Sequence, residues 1–393
     1  MFTQQWMFVR TDEQEQKVKL IGDLADSFIE EAHLADLENR FSYNHIEALR
    51  GIGYPAFTVP KAFGGQEISI YELVLYQERL AQGDAAIALG IGWHLSVMYD
   101  LNHRQLWSTE QIEKINKAVV TQKMIVNRAA TEKSTGSPQR GGKPQTTAIA
   151  LSNGTFLLNG RKTFTSLSPV LDYYIVTAGY EERTVEFIIP RDTKGITIDP
   201  TWDVVGMKGT ASHDLVLDNV IVPTKALVYN YPSERISAAS PALLHIPACY
   251  LGIALAARRE ALRFAKEYQP STLTQPILYT PSVTQQLGQM ELELHAARHF
   301  LYSVAQRWDT RDTTQDDSYL IPELTAAKVF AQKAAMSVVD IAMKIVGAHS
   351  LAVSHPLQRL YRDVRFGLHN PPMEDMVITN LGKQAIHEAT LLI

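Results

Sequence analysis

The spacing of apolar residues changes twice along this 393-residue chain, and that double change limits the possible folds more than any single motif. From about residue 12 to 119 the spacing is three or four. Val18, Ile21, Ala25, Phe28 and Ala32 fall on one helix face. Residues 43–49 read as a short helix ending near Gly51-Ile52-Gly53, and a third helix follows Tyr71. Between them, Pro60-Lys61-Ala62-Phe63-Gly64-Gly65 has the punctuation of turns. From about residue 123 to 221 the pattern becomes that of strands. Residues 147–151 and 155–158 flank Ser152-Asn153-Gly154, a hairpin signal, and Asn159-Gly160 offers a second turn. Residues 173–177, 185–189 and 214–217 are short runs rich in β-branched and aromatic side chains. Strands and turns so spaced predict a small barrel or sandwich.

After the polar stretch 229–240, long helices return. Leu287, Met290, Leu294, Ala297, Leu301, Val304 and Trp308 form a continuous seam for helix packing. A second long helix opens at Pro322-Glu323 and stops at Gly347, a natural C-terminal breaker. Its face is Ala327, Ala331, Ala334, Val338, Ile341 and Ile345, small enough for close helix approach. The expected fold is therefore α+β: an N-terminal helical domain (1–120), a central β domain (121–235) and a C-terminal helical bundle (236–393).

Composition removes several function classes. A hydrophobic fraction of 46% with 20% charged residues describes a globular chain with a sizeable core. Thirty-seven basic against 42 acidic residues leave no excess to neutralise a phosphate backbone, so nucleic acid is not an expected partner. The single cysteine, Cys249, excludes an intramolecular disulfide and a Cys-rich zinc site, and no metal is expected. Residues 1–10 lack a charged region followed by a long apolar run, and no 18 apolar residues run unbroken. These features predict a cytoplasmic protein with no secretory leader and no membrane span.

Four motifs in order carry a family resemblance. They are Ala130-Thr131-Glu132-Lys133-Ser134-Thr135-Gly136-Ser137; Leu158-Asn159-Gly160-Arg161-Lys162-Thr163-Phe164-Thr165-Ser166; Gly206-Met207-Lys208-Gly209-Thr210-Ala211-Ser212 running into Asp218-Asn219-Val220-Ile221-Val222-Pro223; and Arg362-Asp363-Val364-Arg365. With the helix–strand–helix order, the chain resembles the acyl-CoA dehydrogenase superfamily of flavoproteins over nearly its whole length. The resemblance implies a flavin, FAD or alternatively FMN, with Phe164 against the ring, Ser166 and Thr131 on its polar edges, and Ala130 and Gly347 nearby. It implies Ser137 as a substrate contact, an acyl-CoA as substrate, and a homodimer or homotetramer. An electron-transfer flavoprotein or a flavin reductase would be the redox partner.

The chain also departs from that family. An ungapped count from Arg362 puts Pro371 where the family has its catalytic Glu, in Leu368-His369-Asn370-Pro371-Pro372-Met373-Glu374, and proline cannot accept a proton. At the alternative position, the start of the first C-terminal helix, stands His245. Around residue 269 the family's R-x-x-F-G phosphate motif is replaced by Gln269-Pro270-Ser271-Thr272-Leu273-Thr274, and its glycine pair reads Gly347-Ala348-His349-Ser350. An Arg that grips phosphate bidentately has no equivalent in Ser or Thr. The superfamily's flavin monooxygenases resemble this pattern, including a His-[ND]-Pro step like His369-Asn370-Pro371. Candidate acid–base residues are His94, His245 and His369, because imidazole titrates near neutrality, with Glu374 as a carboxylate alternative. The expected function is acyl-CoA dehydrogenase-like oxidation of a CH–CH group. A two-component flavin monooxygenase and a non-catalytic flavin or CoA-ester scaffold are the alternatives.

Overall fold

The computed structural model describes residues 4–135, 142–231 and 240–391. Five helices form the N-terminal part. Thr11 caps α1 (Asp12–Glu38), its hydroxyl accepting the Gln14 N–H. The face marked by Val18, Ile21, Ala25, Phe28 and Ala32 is buried throughout. After α2 (Tyr43–Gly51), Ser69 and Glu72 make a reciprocal capping box that starts α3 (Ile70–Ala81). Asp84 caps α4 (Ala85–Arg104) through Ile87 N–H and also holds buried His45 at 2.8 Å. A second capping box, Ser108 with Gln111, starts α5 (Thr109–Gln122).

Eight strands follow: β1 (Val126–Ala129), β2 (Thr147–Ala150), β3 (Thr155–Lys162), β4 (Tyr173–Tyr180), β5 (Arg183–Pro190), β6 (Ile196–Asp199), β7 (Asp214–Pro223) and β8 (Leu227–Asn230). They form one sheet in the order β6-β7-β3-β2-β4-β5-β8, with β1 parallel to β4. The β2–β3 hairpin turns at Gly154, whose φ of +76° suits glycine. Asn159-Gly160 is not the second turn the sequence suggests. β3 runs straight through it, with a register shift against β7 between Leu158 and Gly160. Glycine is needed there for a different reason: a Cβ would lie 2.4 Å from Thr146 Oγ1.

The C-terminal part has four long helices, α6 (His245–Glu267), α7 (Pro281–Asp309), α8 (Ile321–Val346) and α10 (Glu374–Leu391), with short α9 (Pro356–Val364) before the last. α6 is the central rod, touching α3, α4, α8 and α9. By length and apolarity the stretch Pro241–Glu267 could cross a membrane, but 89% of its apolar window is buried within the protein, as a core helix would be. The seam on α7 and the Ala-rich face of α8 pack on each other as their spacing requires. Buried Arg298 on α7 reaches Glu78 on α3 through two bonds of 2.9 and 2.7 Å, joining the N- and C-terminal helices. α10 is the exception. Among its described residues only Val377 is buried, while Ile378, Ile386 and Leu391 are exposed.

Candidate flavin site

The four sequence motifs are brought into one continuous chain of contacts. Glu132 of the first and Lys162 of the second make a buried ion pair of 2.6 Å, and Thr163 N–H donates to Thr131 O at 2.9 Å. The second motif joins the third through Thr165 N–H to His213 O (3.1 Å) and Leu167 N–H to Thr210 O (2.7 Å). A file of hydroxyls runs alongside, with Ser166 Oγ 2.8 Å from Ser212 Oγ, which donates to Thr210 Oγ1 at 2.9 Å. The third joins the fourth where buried Asp363 accepts the Met207 N–H at 2.5 Å and Gly206 packs against the Arg362 backbone. A Cβ at Gly206 would stand 2.8 Å from that backbone, so only glycine fits. Arg362 is itself anchored, pairing with Asp36 of α1 and donating to Val205 O.

This chain of contacts presents Phe164. Just past the end of β3 its backbone is left-handed, φ +56°, and its ring is 61% exposed. That conformation is costly for a bulky side chain, and it holds the ring out from the core. Trp202 meets the ring edge-on at 5.8 Å, and Phe366 meets Trp202 at 6.1 Å. Trp202 is fixed by two bonds, its backbone N–H to His213 Nδ1 (3.1 Å) and its indole N–H to Met207 O (3.2 Å). Beside Phe164, the hydroxyls of Thr163 and Thr165 are buried with no hydrogen-bond partner among the described residues. A flat heteroaromatic ring matches the exposed aromatic face of Phe164, whereas the Thr163 and Thr165 hydroxyls are turned away from solvent. The site therefore fits a flavin.

Burial sets the charges around it. Burial pushes the Asp363 carboxyl up to about 6, against the pull of Arg359 and the Met207 N–H. Glu132 is also buried, but the Lys162 ammonium, Thr146 and two backbone N–H groups hold it below the usual carboxylate range.

The acid–base candidates are scattered. His94 is fully buried. Its Nδ1 accepts the Val126 N–H at 3.0 Å and its Nε2 lies 2.9 Å from Pro55 O, so both nitrogens serve as struts between α4, β1 and the turn after α2. Burial lowers its pKa to about 4. His245 is also fully buried, against Gly92 and edge-on to Trp93, and burial lowers it to about 3. A Cβ at Gly90 would meet Leu167 at 2.6 Å, and one at Gly92 would meet His245 Nδ1 at 2.2 Å. Two residues turn a helix by about 200°, so the Phe164 loop and His245 lie on opposite sides of α4. His369 is exposed, three residues beyond Phe366. Glu374 pairs with Lys333 on α8 at 2.5 Å. Asn370 is held by Tyr250 and Gly367 O by Lys328, so the turn carrying His369 is pinned from α6 and α8. Thr131 and Ala130 stand beside Thr163, Gly347 ends α8 with φ +66°, and Ser137 lies outside the described residues. Trp202 and His213 belong to this contact surface and were passed over by the motif reading, their sequence signal being nearness to the third motif, which Ser212 closes.

The chain matches three family models in order: acyl-CoA dehydrogenase, N-terminal domain, over residues 11–121; the middle domain over 127–220; and the C-terminal domain over 242–368. A putative acyl-CoA dehydrogenase, YdbM, from Bacillus subtilis is 48% identical over 381 residues, covering 96% of this chain and 99% of that one. Among solved structures, butyryl-CoA dehydrogenase from Megasphaera elsdenii superposes with a TM-score of 0.84 at 22% identity, covering 96% and 99% of the two chains. TdsC from Paenibacillus sp. A11-2, solved with FMN and indole, superposes at 0.85 with 22% identity, covering 95% and 98%. At such identity these two structures speak for the fold, while the family models and the close relative settle membership: this chain belongs to the acyl-CoA dehydrogenase family.

Proposed function

We propose that the chain is a flavin-dependent oxidoreductase that oxidises a CH–CH bond of an acyl-CoA thioester. The observation that carries this reading is Phe164, exposed in left-handed backbone just past the end of β3. The flavin supplies the hydride acceptor when bound. Phe164 gives its ring a face, while Ser166 and Thr131 meet its polar edges. Ala130 continues the Thr131 segment, Gly347 closes α8 on the side of the nucleotide tail, and Ser137 contacts substrate. Proton removal from the carbon beside the thioester needs a base on the 369–374 turn. His369 and Glu374 are the proton-accepting side chains of that turn, and His369 is the freer, since Glu374 is ion-paired.

A second reading, an FMN-dependent monooxygenase fed by a separate reductase, is favoured by two observations. Proline occupies the position of the family's Glu, and His349 packs on Phe264 and Tyr268 at 5.4 and 5.3 Å where the family has a glycine pair. A ring-filled corner there leaves less room for an adenosine end. We also propose that the exposed apolar residues of α10 are covered in a homodimer or homotetramer. Anaerobic mixing with acyl-CoA decides between the readings. Bleaching of the bound flavin supports dehydrogenation, and electron-transfer flavoprotein would then be the acceptor. Oxygen consumption only when reduced flavin is supplied supports the monooxygenase. Neither result would leave a flavin or CoA-ester scaffold. Mass spectrometry of the released cofactor separates FAD from FMN.

A further inference from the structure

We infer that Trp202 is a positioning residue that fixes the tilt of the Phe164 ring and joins it to the turn carrying His369. This role rests on the flavin reading above, in which Phe164 gives the cofactor ring its face. Trp202 lies on the connection between β6 and β7, in no strand or helix. Its indole meets the Phe164 ring at 5.8 Å with 81° between the planes, and the Phe366 ring at 6.1 Å with 68°. Among the described residues it packs into neither hydrophobic core cluster, whereas Phe366 lies against the larger one. A large side chain held outside the core between two rings contributes through those two contacts more than through burial.

Two hydrogen bonds set the indole. The Trp202 backbone N–H donates to His213 Nδ1 at 3.1 Å, and its Nε1–H donates to Met207 O at 3.2 Å. Both anchors also belong to the frame of the site. His213 O accepts the Thr165 N–H at 3.1 Å, so the residue next to Phe164 and the indole beside its ring are tied to the same histidine. Met207 has left-handed backbone, φ +50°, and gives its N–H to Asp363 of α9. The C-terminal segment 363–366 therefore reaches Trp202 twice, once through Asp363 and Met207 and once through Phe366. Phe164 is largely exposed, and Trp202 is the one ring beside it among the described residues. An exposed side chain changes rotamer freely unless a neighbour blocks it. A near-perpendicular neighbour does so while leaving room for a stacked ligand.

The test compares Trp202→Phe, which keeps a ring without the indole N–H, with Trp202→Leu, which keeps apolar bulk without a ring. Each is titrated with FMN and with FAD by flavin fluorescence and visible absorption, alongside thermal unfolding. Both variants lose the bond to Met207 O, so a merely structural role would lower stability and flavin affinity in both alike. Positioning predicts a split. Trp202→Leu should bind flavin about tenfold more weakly with a shifted visible band, while Trp202→Phe should stay within about threefold of wild type with its band in place. If Trp202→Leu does not fold, Phe366→Leu removes the ring on the other side of the indole and should weaken flavin binding about threefold with a shifted band. Equal losses in the two Trp202 variants, or wild-type flavin affinity in the leucine variant, would overturn the inference. Wild-type protein that binds neither flavin would overturn the flavin reading itself, a distinct result from wild-type binding that Trp202→Leu matches.

Discussion

Replacing His245 by leucine should make the protein more resistant to acid. The imidazole is fully buried, and neither nitrogen has a hydrogen-bond partner among the described residues. Burial lowers its pKa from the ordinary 6.5 to about 3. In the unfolded chain it takes up a proton near 6.5, whereas in the folded protein it does so only near 3. Between those values the unfolded state binds more protons, so stability rises with pH through that window and is lost as pH falls. Integrating the linkage from pH 8 to pH 5 gives a loss of about 2 kcal/mol from this residue. His94, held at about 4 by the same cause, adds a loss of similar size. His245→Leu keeps roughly the volume, removes the titration, and relieves an unsatisfied polar group costing about 1–3 kcal/mol. Urea unfolding followed by tryptophan fluorescence at pH 5, 6, 7 and 8 should show the variant at least as stable as wild type at pH 8. Its decline towards pH 5 should be shallower by about 2 kcal/mol. A decline parallel to wild type, or a variant unfolded at pH 8, would refute the reasoning and point to a partnered, working imidazole.

Phe164→Ala should weaken flavin binding about tenfold or more, since stacking and apolar burial are both lost; unchanged affinity in a fluorescence titration would remove the flavin from this shelf. Asp363 has a carboxyl raised to about 6, so the folded protein holds a proton there that the unfolded chain releases near 3.8, and its contribution grows as pH falls from 6 towards 4. Asp363→Asn keeps an acceptor for Met207 N–H and should flatten that part of the stability–pH curve; a curve identical to wild type would count against the raised carboxyl. His369→Gln should lower turnover about 10²–10⁴-fold with flavin still bound, and a loss confined to Glu374→Gln would place the base at the carboxylate. Sedimentation at micromolar concentration should find a dimer or larger species; a monomer would leave the apolar residues of α10 unexplained.

The fold was legible wherever the apolar period was long. The face Val18 to Ala32, the α7 seam from Met290 to Trp308 and the Ala-rich face of α8 lie buried as their spacing requires, with Leu287 at the start of the seam half-buried. Asn159-Gly160 misled for a local reason. The pair is a strong turn signal, but turn propensity is worth little against a strand paired on both edges, and the glycine serves the approach of Thr146 instead. The candidate site was reached in the sequence through its motifs. Phe164 and close-packed Gly206 lie inside the quoted motifs, whereas Trp202 and His213 act through contacts made only after folding.

Histidine shows where sequence reasoning loses its grip on chemistry. An imidazole is useful as a base when one nitrogen is free and solvent or substrate can reach it. Residue type cannot report either condition. On α4 the face that carries Gly90 turns towards the Phe164 loop, and His94 lies one turn further along it, so its position is right for a site residue. Yet its two nitrogens are taken by Val126 and Pro55 backbone groups, which makes it a hinge pin between domains. His245 has both nitrogens free and no access, because it faces the other side of the same helix. His369 combines exposure with a place in a turn pinned by Tyr250 and Lys328, and the same turn carries Phe366 to the edge of the aromatic shelf. Of the three, it alone meets both conditions, so proton transfer in this protein should fall in His369→Gln and be indifferent to replacement of the other two.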